Sequence, residues 1–266
     1  MVSHSLSYRS GCVNRRFELN GPALFGGTVE SLRSGEWSYK NKGRYLQKRY
    51  KNSQTRTITL SAIDKQVLQD FLDTCDADVE NNTPATLVAD DCETLCFIVK
   101  DEAKHVSPLL AQTELTVLLI DGVWREPIRQ SYTMDIVDQT GLDYDYDYSL
   151  VQMNGDITNP QLVTLDCDLT IYGPVTNPQI SIANNVYQVS IDVPDTYRLS
   201  IDSREKTVIL IDSLGTSRNV LDNASFVDGK NIFAPVPPGS HPVLWSNEFD
   251  FDVTLWVKKG RLPWTI

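Results

Sequence analysis

Histidine is scarce. The chain holds only His4, His105 and His241, and none lies in a His-x-x-x-His or Gly-x-Ser-x-Gly setting. Neither a helical metalloprotease motif nor a nucleophile elbow is present, and no phosphate-binding loop or dinucleotide fingerprint replaces them. Gly26-Gly27, after Pro22-Ala23-Leu24-Phe25, reads as a turn. Long apolar runs are missing too: Leu115–Ile120, with Thr116 inside it, is far below the roughly 18 residues of a spanning helix. Met1 to Asn20 has no apolar stretch after its charges, so no export signal is expected. Five cysteines are too few, and odd in number, for a small disulfide framework, which points to free thiols and synthesis in a reducing cytoplasm. Positive charge is short as well: 24 Lys and Arg against 35 Asp and Glu leave −11. Such a chain is poorly suited to gripping phosphates or an anionic membrane, both of which need basic side chains.

What is present is strand-like alternation. The 266 residues, 41% of them hydrophobic, suit one large domain or two ordinary ones at about 150 residues each. Val243, Trp245, Phe249, Phe251, Val253, Leu255 and Val257 share one parity and Glu248, Asp250, Asp252 and Thr254 the other, as in a half-buried antiparallel strand. Leu165–Ile171, Tyr187–Val193 and Tyr197–Ile201 repeat the pattern, and Val208–Ile211 reads as a return strand after a polar turn. Thr158-Asn159-Pro160-Gln161-Leu162 recurs as Thr176-Asn177-Pro178-Gln179-Ile180, which reads as two strand entrances in one sandwich. Thr55–Leu60, Leu95–Val99 and Leu115–Ile120 are further strands.

One segment departs from this. Ile63, Val67, Leu68, Phe71, Leu72 and Cys75 follow helical spacing and predict a helix over about 61–79, with Ser61 as N-cap and Asn81-Asn82-Thr83-Pro84 as its end. The expected organisation is a mixed N-terminal β domain over 1–138, a linker over 139–148, and a C-terminal antiparallel sandwich over 149–266.

The chemistry-bearing clusters favour plain readings. Asp143, Asp145 and Asp147 alternate with Tyr144, Tyr146 and Tyr148. They lack the Gly and Glu of a calcium loop and read as a charged edge or linker rather than a catalytic pair. Cys92 and Cys96 with Cys75 and His105 fit zinc spacing only loosely, and buried thiols are the simpler reading. No catalytic residue, metal or cofactor is expected, and a binding or assembly role is favoured over an enzyme. Arg44, Lys48, Arg49, Lys51 and Arg56 form a basic run in an acidic chain, a candidate interface between copies through local charge pairing, or simply a solvated loop.

Several stretches of the C-terminal half carry a resemblance: Asp143–Leu150, the turns at Asn159-Pro160 and Asn177-Pro178, Leu199-Ser200-Ile201-Asp202, Pro237-Pro238-Gly239, Trp245-Ser246, Phe249–Leu255 and Leu262-Pro263-Trp264-Thr265. Together they resemble the distal tail protein family of long-tailed phages with non-contractile tails. The N-terminal half matches more loosely, as strands around a helix. The resemblance implies a galectin-like second domain without carbohydrate activity, and a first domain that builds a homohexameric ring. It further implies a virion protein of the tail tip, made in the host cytoplasm, whose partners are the tail tube protein, the tail-tip proteins and receptor-binding components. The alternatives are a carbohydrate-binding sandwich module, for which either Trp245 or Trp256 would have to face solvent, a hydrolase built on converging carboxylates, or another baseplate receptor-binding component.

Overall fold

A computed structural model of the chain describes residues 5–134, 153–227 and 229–264. It is mainly β, with antiparallel pairings and one α-helix among the described residues. Contacts divide the chain into two compact units. The first runs to Glu126 and includes the stretch from Lys258; the second is Pro127–Val257.

In the first unit the strands are β1 (Leu6–Arg9), β2 (Arg16–Glu18), β3 (Leu24–Phe25), β4 (Ser38–Lys42), β5 (Tyr45–Tyr50) and β6 (Gln54–Ala62). After helix α1 (Lys65–Glu80) come β7 (Ala85–Ala89), β8 (Cys92–Val106), β9 (Ala111–Leu119) and the start of β10 (Trp124–Tyr132). The main sheet runs β6-β9-β8-β7-β1-β2, while β4 and β5 pair only with each other. β9 alternates buried and half-buried residues along its whole length, which places Leu115, Val117 and Leu119 in the core with Ile58 and Leu60 of β6.

The helix starts three to four residues later than its periodicity predicts. Ser61 and Ala62 are held in β6 by pairing with Phe25 and Leu24 on one side and Gln112 and Ala111 on the other, so sheet pairing overrides the helical spacing. Ile63 is left exposed, and Asp64 is the N-cap instead, accepting from the Gln66 backbone N–H at 2.8 Å. Leu68, Phe71, Cys75 and Asp78 make the buried stripe. Phe71 meets the rings of Tyr8 and Phe17 edge-on at 5.5 and 5.2 Å.

Asp78 is fully buried, yet its carboxylate is saturated with donors. Tyr8 Oη and Ser10 Oγ each donate at 2.7 Å, and the backbone N–H groups of Cys12 and Gly11 at 2.9 and 3.1 Å. Burial alone would raise the carboxyl pKa; the bonds from Cys12, Ser10 and Tyr8 outweigh it and hold the group below its ordinary value. α1 is thereby tied to the loop that follows β1.

The second unit holds β11 (Met153–Asn159), β12 (Asp166–Tyr172), β13 (Val175–Thr176), β14 (Gln179–Ile182), β15 (Asn185–Gln188), β16 (Asp192–Val193), β17 (Arg198–Asp202), β18 (Thr207–Ile211), β19 (Ser217–Asn219), β20 (Gly239–Trp245) and β21 (Phe251–Lys259). One sheet orders β19-β18-β17-β12-β21, a second β11-β20-β14-β15. Both contribute to one buried cluster that contains Leu169, Leu199, Val208, Phe251 and Val253 from the first sheet and Ile157, Ile180, Tyr187 and Val243 from the second. Tyr132 stacks on Phe251 with centroids 4.8 Å apart, and Trp245 meets both rings edge-on. A side chain at Gly155 would put its Cβ 2.5 Å from the Tyr132 ring, which accounts for the glycine there.

Several expectations change in this unit. The run from Val243 to Val257 is two strands in different sheets, divided at Ser246–Asp250 where Asn247 takes φ 58°. Its odd apolar residues are nevertheless all buried, because the turn preserves their parity. Tyr187–Val193 likewise divides into β15 and β16. The first Asn-Pro copy closes β11 rather than opening a strand. Asn159 is buried and bonds the Val163 and Val236 carbonyls while accepting from the Gln161 N–H, a local turn that competes with continued extension.

The expected linker over 139–148, with its Asp-Tyr repeat, lies outside the described residues. The contact division differs from the expected boundaries of 1–138 and 149–266. Tyr132 belongs to the second core, whereas Leu262 is buried in the first and its N–H bonds the Leu32 carbonyl at 3.2 Å.

Two stability outcomes follow from these cores. Phe251→Ala should cost about 3–5 kcal/mol, read from the denaturant midpoint, because it empties the centre of the aromatic cluster. Asp78→Asn should cost about 2 kcal/mol at neutral pH, since an amide nitrogen then faces donors. The native carboxyl is depressed, so its stabilisation is present above the unfolded value of about 4 and lost as pH falls through the folded value. The gap between Asp78→Asn and wild type should therefore narrow below about pH 4 in melting curves; a gap that stays constant would contradict the charge argument.

Candidate assembly surface

The residues from Ser38 to Lys51 include six Lys or Arg and no Asp or Glu. They form an arm. β4 and β5 pair from Ser38 opposite Tyr50 to Lys42 opposite Tyr45, and a two-residue turn joins them, with Gly43 at φ 61°. Every residue from Tyr39 to Lys48 is exposed, and Tyr45, Tyr39 and Leu46 show 80%, 62% and 59% of their surface. An isolated two-stranded hairpin is marginal in water. Here Lys40 also lies directly opposite Lys48, a like-charge pair that weakens it further. Among the described residues no carboxylate stands at ion-pair distance from Lys40, Lys42, Arg44 or Lys48.

The arm is fixed at its root. Lys51 Nζ donates to the Glu36 and Gly260 carbonyls at 2.7 and 3.2 Å and sits 4.7 Å over the Trp37 ring. Burial, with Arg261 and Arg56 nearby, lowers its ammonium pKa. Arg56 donates to the carbonyls of Ser34 and Thr55 and to Gln54 Oε1. Asn52 reaches Ser38 Oγ at 2.9 Å.

The five basic residues expected at an interface thus fall into distinct places. Arg44 is at the tip. Lys48 is on β5, its Nζ 5.7 Å from the Tyr50 ring centre. Lys51 and Arg56 brace the root through bonds to their own chain. Arg49 pairs with Tyr39 in the backbone register, and its side chain lies outside the described residues. Sequence reasoning missed Lys40 and Lys42 on the opposing strand, and the exposed Tyr39, Tyr45 and Leu46. The absence of any acidic residue across Ser38–Lys51 was the available signal.

A second exposed hairpin behaves differently. From Val99 to Val106 every residue of β8 is exposed, but its charges compensate one another: Lys104 pairs with Glu102 at 2.8 Å and Glu114 at 3.4 Å, and Lys100 with Glu102 at 3.2 Å.

The cysteine cluster does not assemble into a donor set. Cys92 and Cys96 are buried in β8, Cys75 is buried on α1, and His105 lies on the exposed hairpin. Burial pushes the Cys92 and Cys96 thiols up to about 11 and about 12, so both are protonated at neutral pH. No group of three or more His, Cys, Asp or Glu among the described residues is placed to hold a metal.

The second unit has a groove of about 470 Å³ lined by Asn177, Gln179, Ser181, Leu244, Ser246 and Glu248, among others. Trp245 also lines this groove but is only 6% exposed, and Trp256 is half-buried with its indole N–H donated to Asp168, so neither is an exposed tryptophan of the kind a carbohydrate-binding module needs.

No family model and no curated protein matches the chain. The fold does match a solved structure. The crystal structure of the SPP1 Dit (gp 19.1) protein, described as a paradigm of the hub adsorption apparatus in phages that infect Gram-positive bacteria, superposes with a TM-score of 0.51 at 6% identity. The match covers 96% of this chain and 99% of that one. At that identity the likeness is one of fold.

The root contacts predict a simple outcome. Lys51→Met should loosen the arm, and trypsin should cut between Lys40 and Lys48 faster than in wild type at equal global stability. Equal cleavage rates would show that the bonds from Nζ do not hold the root.

Proposed function

We propose that the chain is a structural protein of a phage tail tip, a hub whose copies form a ring that joins the tail tube to the adsorption apparatus. The full-length likeness to a hub protein supports the reading. The single observation on this chain that carries it is the arm, an exposed, cationic, self-repelling hairpin braced at its root and lacking any carboxylate partner among the described residues. Such a hairpin gains from a neighbour that supplies the missing charge and covers Tyr39, Tyr45 and Leu46.

The ring is homohexameric in this proposal and is built mainly by the first unit. Arg44 and Lys48 face the neighbour, Arg49 belongs to the same candidate interface by its place on β5, and Lys51 and Arg56 hold the arm in place. The second unit, a galectin-like sandwich in this reading, presents its surface to tail-tip or receptor-binding components. The tail tube protein is the partner on the ring's other side. The role is assembly rather than catalysis.

Electron microscopy and light scattering on the full chain test this. The expected particle is a six-fold ring of about 180 kDa, six times the 29.9 kDa protomer. It should dissociate as salt rises from about 0.1 M to 1 M, where the screening length falls from about 10 to about 3 Å. A 29.9 kDa species at every salt and protein concentration would overturn the ring.

A further inference from the structure

Beyond its Asp64 N-cap, α1 does not follow its dipole. Lys65 stands in the first turn, and the last turn carries no basic residue. Asp73, Asp76 and Glu80 are exposed on the C-terminal half, and negative charge is unfavourable at Glu80 in the last turn. Asp76 and Glu80 are also four residues apart, a repulsive spacing on one helix face. Asp73 accepts from Gln69 at 2.7 Å, but among the described residues no cation pairs with Asp73, Asp76 or Glu80.

The arm and this helix end lie at the same end of the main sheet. Gln54, which follows the arm, is opposite Leu119; Leu119 is opposite Cys96; and Cys96 is opposite Ala85, the first strand residue after α1. Three strand spacings of about 4.8 Å put Gln54 about 14 Å from Ala85 across the sheet. Two patches that leave the sheet from one row, of opposite charge and each repulsive within itself, suit a head-to-tail contact between copies.

We infer that the arm of one copy docks on the C-terminal half of α1 of the next, setting Lys40, Lys42 and Arg44 against Asp73, Asp76 and Glu80. This rests on the ring reading and adds its charge partner. The contact relieves the Lys40–Lys48 repulsion on one side and the Asp76–Glu80 repulsion on the other. It also specifies direction, because each copy offers an arm to one neighbour and a helix to the other.

Charge reversal on the full chain separates the possibilities. One variant carries Lys40→Glu, Lys42→Glu and Arg44→Glu; the other carries Asp73→Lys, Asp76→Lys and Glu80→Lys. All six positions are exposed, and the reversals remove the Lys40–Lys48 repulsion and the unfavourable charge at Glu80, so melting midpoints should not fall below wild type, and they are measured first. Milder Lys40→Gln with Lys42→Gln and Asp76→Asn with Glu80→Gln serve if either reversal lowers the midpoint, and should weaken the ring in the same direction. Each reversed variant alone should lose at least tenfold of its ring fraction in light scattering. Mixed one to one they should recover the ring, because every junction in an alternating ring then pairs opposite charges. Rings that survive either reversal, or a mixture that stays dissociated, overturn this interface and leave the ring standing. A wild-type chain that never forms a ring overturns both.

Discussion

The first unit depends on one buried negative charge. A carboxylate with no accessible surface is tolerable only when its lone pairs are filled, and Asp78 fills them with two hydroxyls and two backbone N–H groups. Burial raises the Tyr8 hydroxyl pKa well above its ordinary value, which keeps that group a donor. The consequence is positional. Asp78 lies on the last full turn of α1, and its donors span Tyr8 to Cys12, so a single side chain sets where the helix end lies against β1. β1 is paired with β7, and β7 follows the helix directly; the network therefore closes a loop of chain rather than adding one contact.

That constraint also explains an anomaly of charge. An acidic residue near a helix C-terminus opposes the dipole, yet Asp78 is repaid by its donors. Glu80 has the same disadvantage, and Asp76 four residues before it repels it, without the compensation. When one carboxylate in a segment is fully satisfied and its neighbours are not, the unsatisfied ones call for a different cause, and the same reasoning separates the two exposed hairpins. In the Val99–Val106 hairpin lysines and glutamates neutralise each other, so it is complete in itself; the arm at Ser38–Tyr50 is not.

How far the sequence was readable follows from which forces are local. Parity survived the division of Val243–Val257 into two strands because alternation reports burial, not strand length. Phe251 and Val253 are buried whichever sheet they join. The start of α1 was misplaced because Ser61 and Ala62 satisfy both patterns, and partners about fifty residues away decided between them. Asn159 and Asn177 show the same limit: the same Asn-Pro text ends one strand and precedes another, and what marks the first copy is the Asn159 amide donating both to the nearby Val163 carbonyl and to the distant Val236 carbonyl. Buried Asp78 read as one more acid in an acidic helix, because its donors lie about seventy residues upstream.

The basic run shows why composition locates a surface better than it assigns roles. Five cations close in sequence looked alike, yet backbone direction divides them. Arg44 turns at the tip in solvent, whereas Lys51 and Arg56 lie beyond β5 and point back to carbonyls of Glu36, Gly260 and Ser34. A cation bonded to its own backbone stiffens the base, and a stiff base lowers the entropy lost when the tip is immobilised against a neighbour. Braced root and free tip are thus two parts of one device: the first keeps an exposed hairpin in place before assembly, and the second leaves its charge available for a partner.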